Sequence, residues 1–202
     1  MGYKRTTEPT SEPITTAEAK SHCRVDHTAD DTYIDTLIAT ARRWCEDYRN
    51  TTAFTTTWTL KLDCFPSRDS YYGSLETGRI DLPMPPVASV TSVAYIDDNG
   101  DSQTVSASDY TLDNSGTLRA SIYPAHGVTW PSTRAQRGAV TVVYVAGAAA
   151  TGAIPPTFKH AVKLLVGHWY ENREGVLTGT ISKEIEFSVK ALLDMEDASV
   201  VG

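Results

Sequence analysis

Pro155-Pro156-Thr157-Phe158-Lys159-His160-Ala161-Val162-Lys163-Leu164-Leu165-Val166-Gly167-His168-Trp169-Tyr170-Glu171-Asn172-Arg173-Glu174 is the stretch on which the reading of the fold turns. The two prolines halt the chain before it. They also suit a first helical turn, where a missing N–H costs nothing. Phe158, Ala161, Val162, Leu165 and Trp169 then recur at helical spacing, with polar groups on the other side. The spacing predicts an amphipathic helix that docks on a neighbour and ends in a polar, aromatic-flanked run.

Upstream, Gly147 to Ile154 is a small-residue linker. Near the N-terminus, Thr15-Thr16-Ala17-Glu18 is a capping-box pattern that opens a helix to about Cys23. A second helix starts at Thr28-Ala29-Asp30-Asp31, with acids in its first turn. Its stripe is Ile34, Leu37, Ile38, Ala41, Trp44, Cys45 and Tyr48, and Asn50 is its expected stop. Arg42–Glu46 and Arg43–Asp47 are expected as pairs on its outer side, each worth ~0.2–0.5 kcal/mol. Downstream, Ile181 to Phe187 alternates like a strand or extended arm, and Val189 to Met195 reads as a short helix.

Between these helical ends the period changes to two. Trp58, Leu60, Leu62 and Cys64 alternate with Thr57, Thr59, Lys61 and Asp63, as in a strand with one buried face. Residues 66–78 read as an exposed loop. Further strands are expected at Arg79–Leu82, around Val90, Val93 and Tyr95, and near Gln103–Val105, Tyr110–Leu112, Leu118–Ile122 and Val140–Val145. Asp98-Asn99-Gly100 is a hairpin signal. Strands are not interleaved with helices, so a doubly wound parallel sheet is excluded. The expected fold is α+β: a helical module of residues 14–50 and 155–202 with a C-terminal arm, a β-sandwich or small barrel at 54–146 inserted in it, and a flexible N-terminus at 1–13.

The bulk numbers narrow the function. A chain of 202 residues with 41% hydrophobic and 21% charged residues buries a sizeable core. Its apolar runs are far short of a membrane span, and Met1-Gly2-Tyr3-Lys4-Arg5 begins no secretion signal. Cys23, Cys45 and Cys64 lack metal-type spacing and suit a reducing cytoplasm. A net charge of −7 opposes wrapping of nucleic acid, which needs a basic patch. It is compatible with a passive wall beside DNA, because an acidic surface repels the backbone.

No motif supplies chemistry. His168 and Glu171 stand at i,i+3 with His160 two turns earlier, but no second cluster completes a metal site. His22 and His27, near Asp26, Asp30 and Asp31, read as a capped, solvated turn. Asp97-Asp98-Asn99-Gly100-Asp101 lacks the closing glutamate of a calcium loop. There is no G-x-S-x-G elbow, Cys64 has no base, and Gly147–Gly152 lacks the Lys-Ser/Thr of a phosphate loop. Trp130, Arg134 and Arg137, with Tyr123 and His126, form a basic-aromatic loop, a candidate contact for a partner. No enzyme activity, metal or cofactor is expected.

Four segments resemble the head-to-tail adaptor (head-tail connector) family of long-tailed phages and gene-transfer particles. They are Pro13–Lys20 with Arg24-Val25-Asp26, Ala41–Glu46, Leu82–Val90 and Leu165–Glu174, joined by a similar ending at Val189–Leu193. The His168-Trp169-Tyr170-Glu171-Asn172-Arg173-Glu174 run is the most specific. The resemblance implies a structural virion protein assembled in the host cytoplasm: a ring, usually of twelve copies, beneath the portal protein and leading to the stopper and tail. Genomic DNA would only pass through its channel, and no membrane is involved. Trp169, Tyr170, Arg173, Leu192, Leu193 and Met195 are the candidate portal or subunit contacts, the arm being residues 176–202. The competing reading is a carbohydrate- or peptide-binding, or hydrolytic, β domain using Trp130, Tyr71 and Tyr72.

Overall fold

Two units, each with its own apolar core, share the chain: Met1–Pro9 with Thr55–Gly147, and Thr10–Phe54 with Ala148–Gly202. The computed structural model describes residues 2–66, 78–116, 119–173 and 181–195.

The described residues of the first unit are mainly β-strands. Strands β1 (Gly2–Arg5), β2 (Thr56–Leu62), β4 (Val87–Ile96), β5 (Ser102–Thr104) and β8 (Val140–Ala146) form one sheet in the order β1-β2-β8-β4-β5. Strands β3 (Ile80–Leu82), β6 (Tyr110–Asp113) and β7 (Ala120–Pro124) form a second, in the order β3-β7-β6. Every pairing between these strands is antiparallel. Trp58 lies opposite Tyr144 and Leu60 opposite Val142, so period-two alternation puts one face of β2 and β8 into the core. Ile80, Leu82 and Ile122 of the smaller sheet join the same apolar cluster. The α+β class and antiparallel pairing are as expected. Both sheets are open, and no pairing among the described residues closes a barrel.

Strand β4 explains an irregular sequence pattern. Its residues facing Val140, Val142, Tyr144 and Ala146 are Tyr95, Val93, Val90 and Val87, with register shifts between 87 and 89 and between 90 and 92. Each shift inserts one residue, a bulge, which stretches the apolar spacing from two to three.

The N-terminus departs from expectation. Residues 1–13 read as flexible, yet Gly2–Arg5 forms β1 on the edge of β2. The Arg5 guanidinium lies 5.0 Å from the centre of the Trp58 ring, and Tyr3 packs 5.8 Å from it. Thr6 N–H donates to the Thr57 carbonyl at 2.8 Å. Four residues without an apolar alternation carry no strand signal of their own; backbone pairing with β2 makes them one.

The second unit packs helices α1 (Thr16–Cys23), α2 (Asp31–Arg49), α3 (Pro156–Glu171) and α4 (Ile181–Asp194). The capping box forms: Glu18 N–H donates to Thr15 Oγ1 at 3.1 Å and Thr15 N–H to Glu18 Oε2 at 2.9 Å. These bonds hold the Glu18 carboxyl below its ordinary pKa. Asn50 ends α2 in the left-handed conformation at φ 53°. Ile34, Leu37, Ile38, Ala41 and Cys45 meet Phe158, Ala161, Val162 and Leu165 in one core.

Two helical expectations are corrected. Ile181–Phe187 is the first half of α4, not a strand or arm. Ile181, Ile185 and Val189 also stand at i,i+4 spacing, and that period prevails over the alternation. Arg42 and Glu46 are not on the outer side of α2; both are buried. Arg42 Nε donates to Glu12 Oε2 at 2.8 Å and Nη1 to Glu46 Oε2 at 2.9 Å, while Glu46 Oε1 accepts the Ala53 N–H at 2.9 Å.

Candidate interface at the end of α3 and on α4

The C-terminal end of α3 is clasped to the start of α2. Tyr170 Oη donates to Asp30 Oδ2 at 2.7 Å, and Arg173 Nη2 donates to the same oxygen at 2.8 Å. The Arg173 guanidinium lies 4.7 Å from the Tyr33 ring centre and 5.2 Å from that of Tyr170. Tyr33 Oη donates to the Trp169 carbonyl at 3.4 Å. The bond from Tyr170 is the main cause of the depressed Asp30 pKa, and the same bond raises that of Tyr170. Trp169 is half-buried against the helical core. Tyr170 and Arg173 are therefore engaged within the chain, which ties the end of α3 to the start of α2.

His168 is also engaged: Asn172 Nδ2 lies 3.3 Å from its Nδ1 and donates to its carbonyl at 2.8 Å. Among the described residues no group of three or more His, Cys, Asp or Glu is placed to hold a metal. The His22 ring packs on Gly167, where a Cβ would stand 3.2 Å from His22 Cδ2. Desolvation lowers the His22 pKa, with His160 and Lys163 adding to the effect.

Helix α4 has three distinct sides. Val189 and Leu193 are fully buried in the helical core. Lys190 and Asp194 flank Tyr48 of α2. Phe187 and Met195 are 74% and 64% exposed, with the exposed Ala191 between them. Leu193, one of the sequence candidates, thus faces its own core, and Leu192 is half-buried. Met195 is free to meet a partner. Phe187 was missed; its signal was the i, i+4, i+8 spacing of Phe187, Ala191 and Met195.

The β-unit loop is tied down. Trp130 stacks on Phe65 with ring centres 4.8 Å apart and planes 6° from parallel, and its Nε1–H donates to the Gly78 carbonyl at 2.6 Å. It borders a cleft of about 450 Å³ shared with Tyr123, His126 and Val128. Arg134 N–H donates to the Ile96 carbonyl at 3.1 Å, and Ser132 Oγ to Asp98 Oδ2 at 2.8 Å, so this loop is stitched to the β4–β5 hairpin. Arg134 and Arg137 are both exposed. A sugar-stacking platform on Trp130 loses one face to Phe65. Tyr71 and Tyr72, invoked with it, lie outside the described residues.

A model of head completion proteins matches residues 12–187, most of the chain. The chain belongs to the head completion protein family, and the connector resemblance read from the sequence is borne out. The fold is shared with chains in a virion of the native gene transfer agent particle (24% identity, TM-score 0.75) and in the neck of the empty particle computed with C6 symmetry (23%, 0.75). It also matches a chain in the neck of the native particle computed with C12 symmetry (24%, TM-score 0.65). Each alignment covers 96% of this chain and 94% of the other. No curated protein matches.

Proposed function

We propose that this protein is a structural adaptor of a phage-type neck: copies form a ring, of twelve, that docks beneath the portal protein and leads to the stopper and tail. The observation that carries the reading is the outward apolar row of Phe187 and Ala191 on α4 with Met195 just past its end, in a member of the head completion protein family. Such a row costs free energy in water and is stabilised by a partner surface. The fold match to chains of particle necks, one computed with C12 symmetry, supports the ring. Phe187 and Met195, with the half-buried Leu192, are the portal contacts in this reading. Trp169, Tyr170 and Arg173 act beside them as a preformed corner. The net charge of −7 suits a channel wall past which DNA slides.

The test is to mix the full chain with the portal protein of the same particle and image the mixture by electron microscopy. Rings seated on the portal are expected. Portals that stay bare across a range of concentrations would overturn the reading.

A further inference from the structure

On α4, residues are separated by about 100° around the axis. Val189 and Leu193 occupy one narrow sector and face the core. Phe187 and Ala191 lie on the opposite side and face solvent, and the exposed Met195, one residue past the helix with its N–H on the Ala191 carbonyl, extends that side. Between the two, roughly 100° from the core sector, stand Lys190 and Asp194. Among the described side chains of α4, Val189 and Leu193 are the buried ones, with Leu192 half-buried on the far flank. Val189 and Leu193 set the buried face of α4, and contacts on its flank limit how far the helix can swing about that face.

One such contact on the flank is polar. Tyr48 Oη donates to Asp194, 3.2 Å from Oδ1 and 3.4 Å from Oδ2. Lys190 Nζ lies 5.9 Å from the centre of the Tyr48 ring. The Tyr48 ring also stacks on Trp44 at 5.5 Å with planes 3° from parallel. We propose that Tyr48 is a positioning residue for the docking helix: seated on Trp44 and bonded to Asp194, it holds the rotation of α4 that Val189 and Leu193 set, so that Phe187 and Ala191, with Met195 just beyond the helix, face outward as one row. This inference rests on the adaptor reading above and names the residue that presents its contact surface. Tyr48 itself touches no partner in this scheme.

The experiment compares Phe187→Glu, Tyr48→Phe, Asp194→Asn and the Tyr48→Phe/Asp194→Asn double variant of the full chain. Portal binding and amide hydrogen exchange of α4 in the free protein are measured for each. Tyr48→Phe keeps the ring and its stack, so the fold is retained. It is expected to weaken portal binding about five-fold, the change one ordinary hydrogen bond brings, and to speed exchange in α4 by a similar factor. Asp194→Asn is expected to do the same, and the double variant no more than either alone. Unchanged α4 exchange in Tyr48→Phe, or additive losses in the double variant, would overturn the positioning role. Phe187→Glu tests the other claim: it is expected to abolish binding with α4 exchange unchanged. Full binding by Phe187→Glu would sink the docking row while the exchange measurement still decides Tyr48.

Discussion

Arg42 and Glu46 form an ion pair inside the helical unit, with Arg42 Nη1 2.9 Å from Glu46 Oε2 and no part of Glu46 exposed. Glu12 also accepts from Arg42 and the Ala53 N–H donates to Glu46, so each carboxylate oxygen of Glu46 has a partner. Arg42→Ala is expected to destabilise the protein by ~3–5 kcal/mol, because it takes a cation away from a fully buried carboxylate. Urea unfolding followed by circular dichroism checks this. A loss of only the ~0.3–0.5 kcal/mol of a surface pair would contradict the buried arrangement.

Gly167 lies where the His22 ring crosses α3. Alanine in a helix is usually worth ~0.5–1 kcal/mol over glycine, but here its Cβ would meet His22 at 3.2–3.3 Å. Gly167→Ala is therefore expected to bring no gain in the native chain and to stabilise by ~0.5–1 kcal/mol in a His22→Ala background. A double-mutant cycle measured by thermal unfolding settles the coupling.

Burial pushes the Cys45 thiol up to about 12, from an ordinary 9.0. The folded chain keeps this proton where the unfolded chain releases it. Stability contributed by Cys45 is therefore intact below pH 9 and is lost as pH rises from 9 toward 12. In native labelling with iodoacetamide at pH 8, exposed Cys64 is expected to react first, half-buried Cys23 slowly and Cys45 only after denaturation. Modification of Cys45 without unfolding would contradict its placement.

Asp30 receives two hydrogen bonds, from Tyr170 and Arg173, and its carboxyl is held below the ordinary range. A depressed folded pKa means stability that is present above the unfolded value and lost as pH falls through the folded one. Asp30→Asn is expected to flatten that acid limb and to speed amide exchange at the end of α3. An unchanged acid limb, followed by thermal unfolding between pH 5 and 2, would show that the clasp contributes nothing in solution.

Much of the architecture was legible. The capping box at Thr15–Glu18, the stop at Asn50, the proline start of α3 and the strands flanking Asp98-Asn99-Gly100 each depend on neighbours within a few residues, which sequence displays directly. The site was only partly legible. Met195 stands exposed as a contact should, but Leu193, two residues before it and equally apolar, is consumed by the core. A period marks a face without saying which way the face turns.

The residue order by itself determined the α+β class, the helical ends around a strand block and the family, because local hydrogen bonding, turn chemistry and hydrophobic period are properties of short stretches. Only the tertiary structure decided that Gly2–Arg5 is an edge strand, that Arg42 and Glu46 lie inside, and that α4 shows Phe187 rather than Leu193 to solvent. Those outcomes depend on segments far apart in the chain, whose pairing, desolvation and packing exist only once they meet.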